Sequence, residues 1–317
     1  GGLFEVAALD GIFGVGGDLL TGGGRTPVLN QIMQGNQLPN VFGLCLGGFV
    51  GGASTMDLGI IDNRKFQGDL MRVPFAHGAQ VQQGAAEGSF DYYSINAPHR
   101  TDVGGVNLNL KGSSYAPADD VPRVMIDSGT TMVVVATPVF NALTAAIQSG
   151  VSDSARRSGY LEDTPGDCFQ APAEWSPNDD YPTVRFWLTD SSGTEFALEW
   201  LPQHYFASGQ ATHSEPQQPQ TWCMSLIDGG TDTSPTIFGD AWMEAYYVAF
   251  DRETFELGFA PVAADCGNHV QGSDPSSAWP IYGCVDDAYA EYDSAANAAS
   301  PSMCVTPIVT GCLSPNY

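Results

Sequence analysis

The chain has 317 residues and a formal net charge of −25, with 36 acidic side chains against 11 Lys and Arg. So acidic a surface repels nucleic acid and anionic membrane, and no run of eighteen apolar residues is present to span a bilayer. Frequent Gly (37) and Pro (21) punctuate short runs rich in Val, Phe, Tyr and Trp, a pattern that predicts an all-β protein with few helices.

The expected elements run as follows. Strands are predicted at Leu3–Leu9 and Ile12–Val15, followed by a Gly-rich loop. A short helix comes next, capped by Thr26, with Pro27 in its first turn and Val28, Leu29, Ile32 and Met33 on its apolar face. Short strands follow at Val41–Leu46, Asp57–Ile61, Gly68–Pro74, Ser89–Ile95 and Val106–Leu110. Thr137 and Pro138 open a second helix, with Phe140, Leu143 and Ile147 on one face. Further strands are expected at Thr183–Thr189, Glu195–Leu198, Trp222–Ile227, Tyr246–Asp251 and Glu256–Ala260. Residues 263–317, rich in Ala, Asp, Ser, Pro and Cys, are expected to form a Cys-containing extension with a helix at Asp286–Ala298.

Chemistry concentrates at Val124-Met125-Ile126-Asp127-Ser128-Gly129-Thr130-Thr131. An apolar strand delivers an acid into a tight turn, where Gly129 permits the sharp backbone and the hydroxyls can bond the carboxylate. The tripeptide D-[ST]-G alone is weak, since it arises by chance about 0.1–0.2 times in a chain of this length. The plain alternative is an Asx-type turn between strands. Other signals carry less. The Gly14-x-Gly16-Gly17 run does not complete a dinucleotide fingerprint, and no G-K-[ST] exists. The five histidines match no Ser or Cys triad. Seven cysteines stand at 45, 168, 223, 266, 284, 304 and 312 with no C-x-x-C pair, which argues against zinc and for disulfides in an oxidising compartment. No cofactor is expected.

A second motif changes the weighting. Thr236-Ile237-Phe238-Gly239-Asp240 is followed by Tyr246-Tyr247-Val248-Ala249-Phe250-Asp251-Arg252 and Leu257-Gly258-Phe259-Ala260. The triplet Ile-Phe-Gly also occurs at Ile12-Phe13-Gly14, and Phe42-Gly43-Leu44-Cys45-Leu46 follows it. Together with the Asp127 turn, these segments resemble the pepsin family of aspartic proteases. Leu201-Pro202-Gln203-His204-Tyr205-Phe206 and the cysteine positions are similar to the beta-secretase and plant-type branch.

The resemblance implies a bilobal all-β fold. Residues 1–46 would be a remnant of the first lobe with the crossing strand, 47–262 a complete catalytic lobe and 263–317 the extension. It implies an aspartic endopeptidase acting on peptides or proteins in a secreted or lumenal compartment. Asp127 would be one of two catalytic aspartates. Ser128, Gly129, Thr130 and Thr131 would support the pair and contact substrate backbone. Tyr92 and Tyr93 would line the cleft, although paired aromatics on a strand equally suit a core. Ile237-Phe238-Gly239 and Ile12-Phe13-Gly14 would brace the two catalytic loops, with disulfides at Cys168–Cys223 and Cys45–Cys266. The second aspartate belongs before Ile12 in the family, and no other D-[ST]-G occurs here. The expectation is that a missing N-terminal segment carries it and that the chain alone is inactive. The other reading is a non-catalytic binder or inhibitor of the same fold.

Overall fold

A computed structural model describes residues 12–21, 25–47, 53–76, 90–115, 122–151, 168–171, 175–209, 220–230, 236–264, 266–268, 282–283, 288–289 and 298–299. The expected strand at Leu3–Leu9 and nearly all of the expected helix at Asp286–Ala298 lie outside the described residues. The fold is all-β. In chain order the strands of the main body are β1 Val41–Cys45, β2 Thr55–Leu58, β3 Met71–Pro74, β4 Ser94–Asn96, β5 Arg100–Val103 and β6 Val106–Asn107. They continue as β7 Arg123–Ile126, β8 Val133–Val135, β9 Cys168–Ala171, β10 Val184–Thr189, β11 Glu195–Trp200 and β12 Phe206–Gly209. The last are β13 Gln220–Met224, β14 Leu226–Asp228, β15 Thr236–Phe238, β16 Tyr246–Asp251 and β17 Glu256–Pro261. Among the described residues two helices exceed one turn, α1 Val28–Gly35 and α2 Thr137–Ser149.

Helix α1 starts one residue later than a Thr26 cap would give. Its N-cap is Pro27, which makes no side-chain cap, while the Thr26 carbonyl accepts the Gln31 side-chain amide at 2.9 Å. The anticipated face survives in part: Leu29 and Met33 are buried, whereas Val28 is exposed. Residues 12–17 carry no regular structure where a strand was expected. In α2, Leu143 and Ile147 are buried with Val139, and Pro138 sits in the first turn, where its missing N–H costs nothing.

Among the described residues, four sheets of three or more strands make the body. A five-stranded antiparallel sheet runs β2-β1-β16-β17-β3. Every residue of β1 and β16 is buried, because this sheet is covered on both faces. Gly43 in β1 has to be glycine: a Cβ there would lie 1.8 Å from the Tyr247 hydroxyl. Antiparallel ladders β11-β10-β5-β6 and β12-β13-β9 form two more sheets. Strand β10 alternates buried Val184, Phe186 and Leu188 with Arg185, Trp187 and Thr189, the period-two signature of a sheet with one covered face. The fourth sheet, β14-β8-β15-β7-β4, mixes parallel and antiparallel pairs and positions the site.

One large core links these sheets, with Trp200, Trp242, Tyr115, Tyr205, Phe186 and Phe238 fully buried. A smaller cluster beside it holds Tyr247, Phe66, Ile61 and the Cys45–Cys266 disulfide. Next to that cluster, Lys65 is buried with its Nζ 2.6 Å from Asp57 Oδ1 and 2.8 Å from the Thr55 hydroxyl. The Tyr247 hydroxyl donates to the other Asp57 oxygen at 3.2 Å. A charge out of water is tolerated only with such partners. Among the described residues, no helix is long and apolar enough to cross a membrane.

Candidate active site

Strand β7 is apolar and buried at Val124, Met125 and Ile126, and it ends by presenting Asp127 at the surface of the fourth sheet, half-buried. The chain then turns, with the Thr130 N–H donating to the Asp127 carbonyl at 3.2 Å. Asp127 Oδ1 accepts the Gly129 N–H at 2.9 Å, and Oδ2 accepts the Thr130 hydroxyl at 2.7 Å. Each carboxyl oxygen thus has a donor from its own turn, which fixes the plane of the group. Ser128, Gly129 and Thr131 are exposed around it, and Thr130 is half-buried beneath. The chain leaves through Met132 into β8.

Strand β15 occupies the space between the two arms of this loop. It runs parallel to β7, pairing Thr236 with Val124, Ile237 with Met125 and Phe238 with Ile126. It runs antiparallel to β8, pairing Ile237 with Val134 and Phe238 with Val133. The Asp127 N–H donates to the Phe238 carbonyl at 3.2 Å, so the Asp127 loop hangs directly from β15. Phe238 is anchored below by rings of Phe186 and Trp242, each with its centroid 4.9 Å away. Gly239 then passes so close that a Cβ would lie 2.1 Å from the Thr130 carbonyl oxygen and 2.4 Å from that of Met132. Beyond it the Asp240 N–H donates to the Thr130 carbonyl at 2.8 Å and the Ala241 N–H to that of Thr131 at 3.0 Å.

Beside Asp127 stands a second carboxyl, Asp240, which sequence reasoning leaves out. Burial, and secondarily the charge of Asp127, pushes its carboxyl up to about 6. The signal was its position directly after Gly239, which looked like the plain end of a strand motif.

The other expected site residues are placed as follows. Tyr93 is buried in the core, its hydroxyl donating to the Val15 carbonyl at 2.7 Å, while Tyr92 is 44% exposed. Residues 15–20 lie along this segment, with the Gly17 N–H on the Asp91 carbonyl at 2.8 Å and the Leu19 N–H on that of Phe90 at 3.2 Å. Ile12 and Phe13 are 76% and 48% exposed, and a Cβ on Gly14 would meet nothing within 4 Å. The second Ile-Phe-Gly triplet therefore braces no loop among the described residues. Cys45 and Cys266 form a disulfide. The backbone register sets Cys168 opposite Cys223, and Cys223 is disulfide-bonded. Asp228 closes a turn, accepting the Thr137 hydroxyl at 2.7 Å and the Gly230 N–H at 2.9 Å, with Gly230 at φ +99°.

Comparison with known proteins agrees with this geometry. The model of the family described as "Eukaryotic aspartyl protease" matches residues 1–262. The chain is 26% identical over 234 residues to a beta-secretase of Strongylocentrotus purpuratus, covering 65% of this chain and 41% of that protein. It is 25% identical over 267 residues to a gastricsin of Cavia porcellus, covering 82% and 55% respectively. To pepsin A of Bos taurus it is 23% identical over 268 residues, covering 83% and 59%. The chain thus spans less than two thirds of the length of these relatives.

Proposed function

The chain belongs to the eukaryotic aspartyl protease family, and from that membership we propose that it carries one half of an aspartic endopeptidase site, with Asp127 as the catalytic carboxyl. What carries the reading is the Asp127 loop itself: a carboxyl fixed by Gly129 and Thr130, slung from β15 and open on its outer side.

Two carboxyls held about 3 Å apart cannot both ionise, so they share one proton. The ionised member takes a proton from a bound water, whose oxygen attacks the scissile carbonyl, and the protonated member donates to or polarises that carbonyl. The reading requires a second aspartate, and the only D-[ST]-G of the sequence is at Asp127. The partner carboxyl therefore comes from a segment outside residues 1–317, and the chain by itself is inactive. Substrates are peptides or proteins. Ser128, Thr131 and the exposed Tyr92 are available to substrate, while Tyr93, buried in the core, acts only as support. A secreted or lumenal setting is part of the same reading, supported by the Cys45–Cys266 disulfide.

The test is cleavage of a denatured protein at acid pH. In the complete protein, Asp127→Asn should lower turnover by at least about 10²–10⁴-fold with an unchanged melting profile. Unaltered turnover would remove Asp127 from the mechanism. Pepstatin-sensitive cleavage by residues 1–317 alone would show that no outside carboxyl is needed.

A further inference from the structure

Residues 90–93 form a bend that is held from three directions and leaves one side chain exposed. On one side lie residues 15–19. The Gly17 N–H donates to the Asp91 carbonyl at 2.8 Å, the Leu19 N–H to that of Phe90 at 3.2 Å, and the Phe90 N–H to Asp18 Oδ1 at 3.3 Å. The approach is so close that a Cβ on Gly17 would stand 2.1 Å from the Phe90 carbonyl oxygen. On the other side, the Ile126 N–H donates to the Tyr93 carbonyl at 2.8 Å, at the Asp127 end of the β4–β7 pair. Tyr92 and Asp127 each stand one residue from that bond. Phe90 and Tyr93 are buried, whereas Tyr92 is 44% exposed.

The third restraint is an ion pair from the far end of β7. Arg123 Nη1 lies 3.1 Å from Asp91 Oδ2 and 3.3 Å from Oδ1, and Asp91 Oδ1 also accepts the Tyr92 N–H at 2.7 Å. Both charged side chains are largely out of water, at 15% and 19% exposure. Taking two charges that far from solvent is costly, and backbone bonds already hold residues 90, 91 and 93. What the pair adds is a grip on the peptide that enters Tyr92, the one residue of the four whose side chain is exposed. An aromatic side chain fixed in advance spares the cost of ordering it when a ligand arrives.

We propose that Arg123 and Asp91 are positioning residues of the Asp127 site: their ion pair holds the bend at residues 90–93 so that Tyr92 is presented to the peptide substrate, and it sets substrate affinity rather than turnover. This rests on reading Asp127 as half of an aspartic-protease pair, with Tyr92 in reach of substrate. Arg123 touches neither the carboxyl nor the loop that fixes it, so its effect passes through Asp91 to Tyr92. One nitrogen of Arg123 makes both contacts to Asp91, so a lysine ammonium, a point charge, can take its place.

The experiment is kcat and KM for the complete protein on one peptide, chosen from the fragments that the wild type releases from a denatured protein. Arg123→Met should raise KM by about 2–10-fold with kcat nearly unchanged, the signature of lost uniform binding. Arg123→Lys should restore most of the affinity. Tyr92→Ala should raise KM by itself, and adding Arg123→Met to it should change KM no further, whereas a merely structural role would shift KM equally in both backgrounds. Asp91→Ala removes the same grip from the other partner and carries the test where Arg123→Met does not fold. An active wild type whose KM is indifferent to these changes, or a loss confined to kcat, overturns the proposal alone. So does an equal rise with and without Tyr92, or an Arg123→Lys variant as weak as Arg123→Met. A complete wild-type protein that cleaves at no pH overturns the endopeptidase reading, and this proposal with it.

Discussion

Adding one methyl group at Gly239 should damage the site more than removing any exposed side chain around it. Real Cβ atoms essentially never approach another heavy atom within 3.0 Å, and here the new carbon would stand 2.1 Å from the Thr130 oxygen and 2.4 Å from the Met132 oxygen. Both are backbone carbonyls, so no side chain can swing away, and relief requires the crossing strand and the loop to separate by roughly 1 Å. That separation breaks or stretches three bonds: Asp240 N–H to Thr130 O, Ala241 N–H to Thr131 O and Asp127 N–H to Phe238 O. At about 0.5–1.5 kcal/mol each, with an added penalty for any buried group left unpaired, Gly239→Ala should cost about 3–4 kcal/mol. In a chain of this size that is roughly 10 °C in melting temperature. A displacement of about 1 Å at a catalytic group is also worth about 10²-fold in rate, to be read in the complete protein. The matched control is Gly14→Ala in residues 1–317, where the methyl group meets open space and should change stability by less than about 0.5 kcal/mol. Differential scanning fluorimetry of both variants decides the matter. A Gly239→Ala melting point within about 2 °C of the parent would mean that the strand does not clamp the loop as described.

Lys65→Met should cost about 3–5 kcal/mol in urea denaturation, because it strands the Asp57 carboxylate, whose side chain is 3% exposed; adding Asp57→Asn should recover most of the loss. A double variant no more stable than the single one would show that the lysine acts by packing rather than by charge. His204 gives a pH effect of defined sign. The unfolded chain takes a proton near 6.5, whereas burial delays protonation in the fold to about 4, so this residue lowers stability as pH falls between those values. His204→Gln should flatten that part of the melting-temperature profile, and an unchanged slope would remove His204 as its source.

What could be read from the sequence was what local chemistry decides. The Asp127 turn is an Asx-type device whose donors lie two and three residues ahead, so its bonds were implicit in Asp-Ser-Gly-Thr itself. Strand β10 announced itself by alternation. Strand β5 did not, because Arg-Thr-Asp-Val looks like a surface turn. Asp102 is buried there by a two-point bond to Arg100, at 2.9 and 2.6 Å, and by the indole N–H of Trp187, at 2.9 Å. Lys65 was hidden for the same reason: its partners Asp57 and Thr55 come from a neighbouring strand, and no periodicity encodes an ion pair that forms only after folding.

The two Ile-Phe-Gly triplets show where local reading ends. Their residues are identical and so are their intrinsic preferences, yet Gly239 is pressed against two carbonyls while Gly14 faces empty space, and Phe238 is fully buried while Phe13 is half exposed. Nothing in three residues can produce that difference. It comes from what lies opposite: the Asp127 loop folds around β15, and no described residue folds around 12–14. The same dependence governs Asp240, whose carboxyl would be an ordinary first-turn acid on an isolated helix. It is pushed up instead by burial and then by the charge of Asp127, which the loop that Gly239 admits brings beside it. The side chains that matter for chemistry are those whose neighbours arrive from the far side of the crossing strand, and the glycine is what lets them arrive.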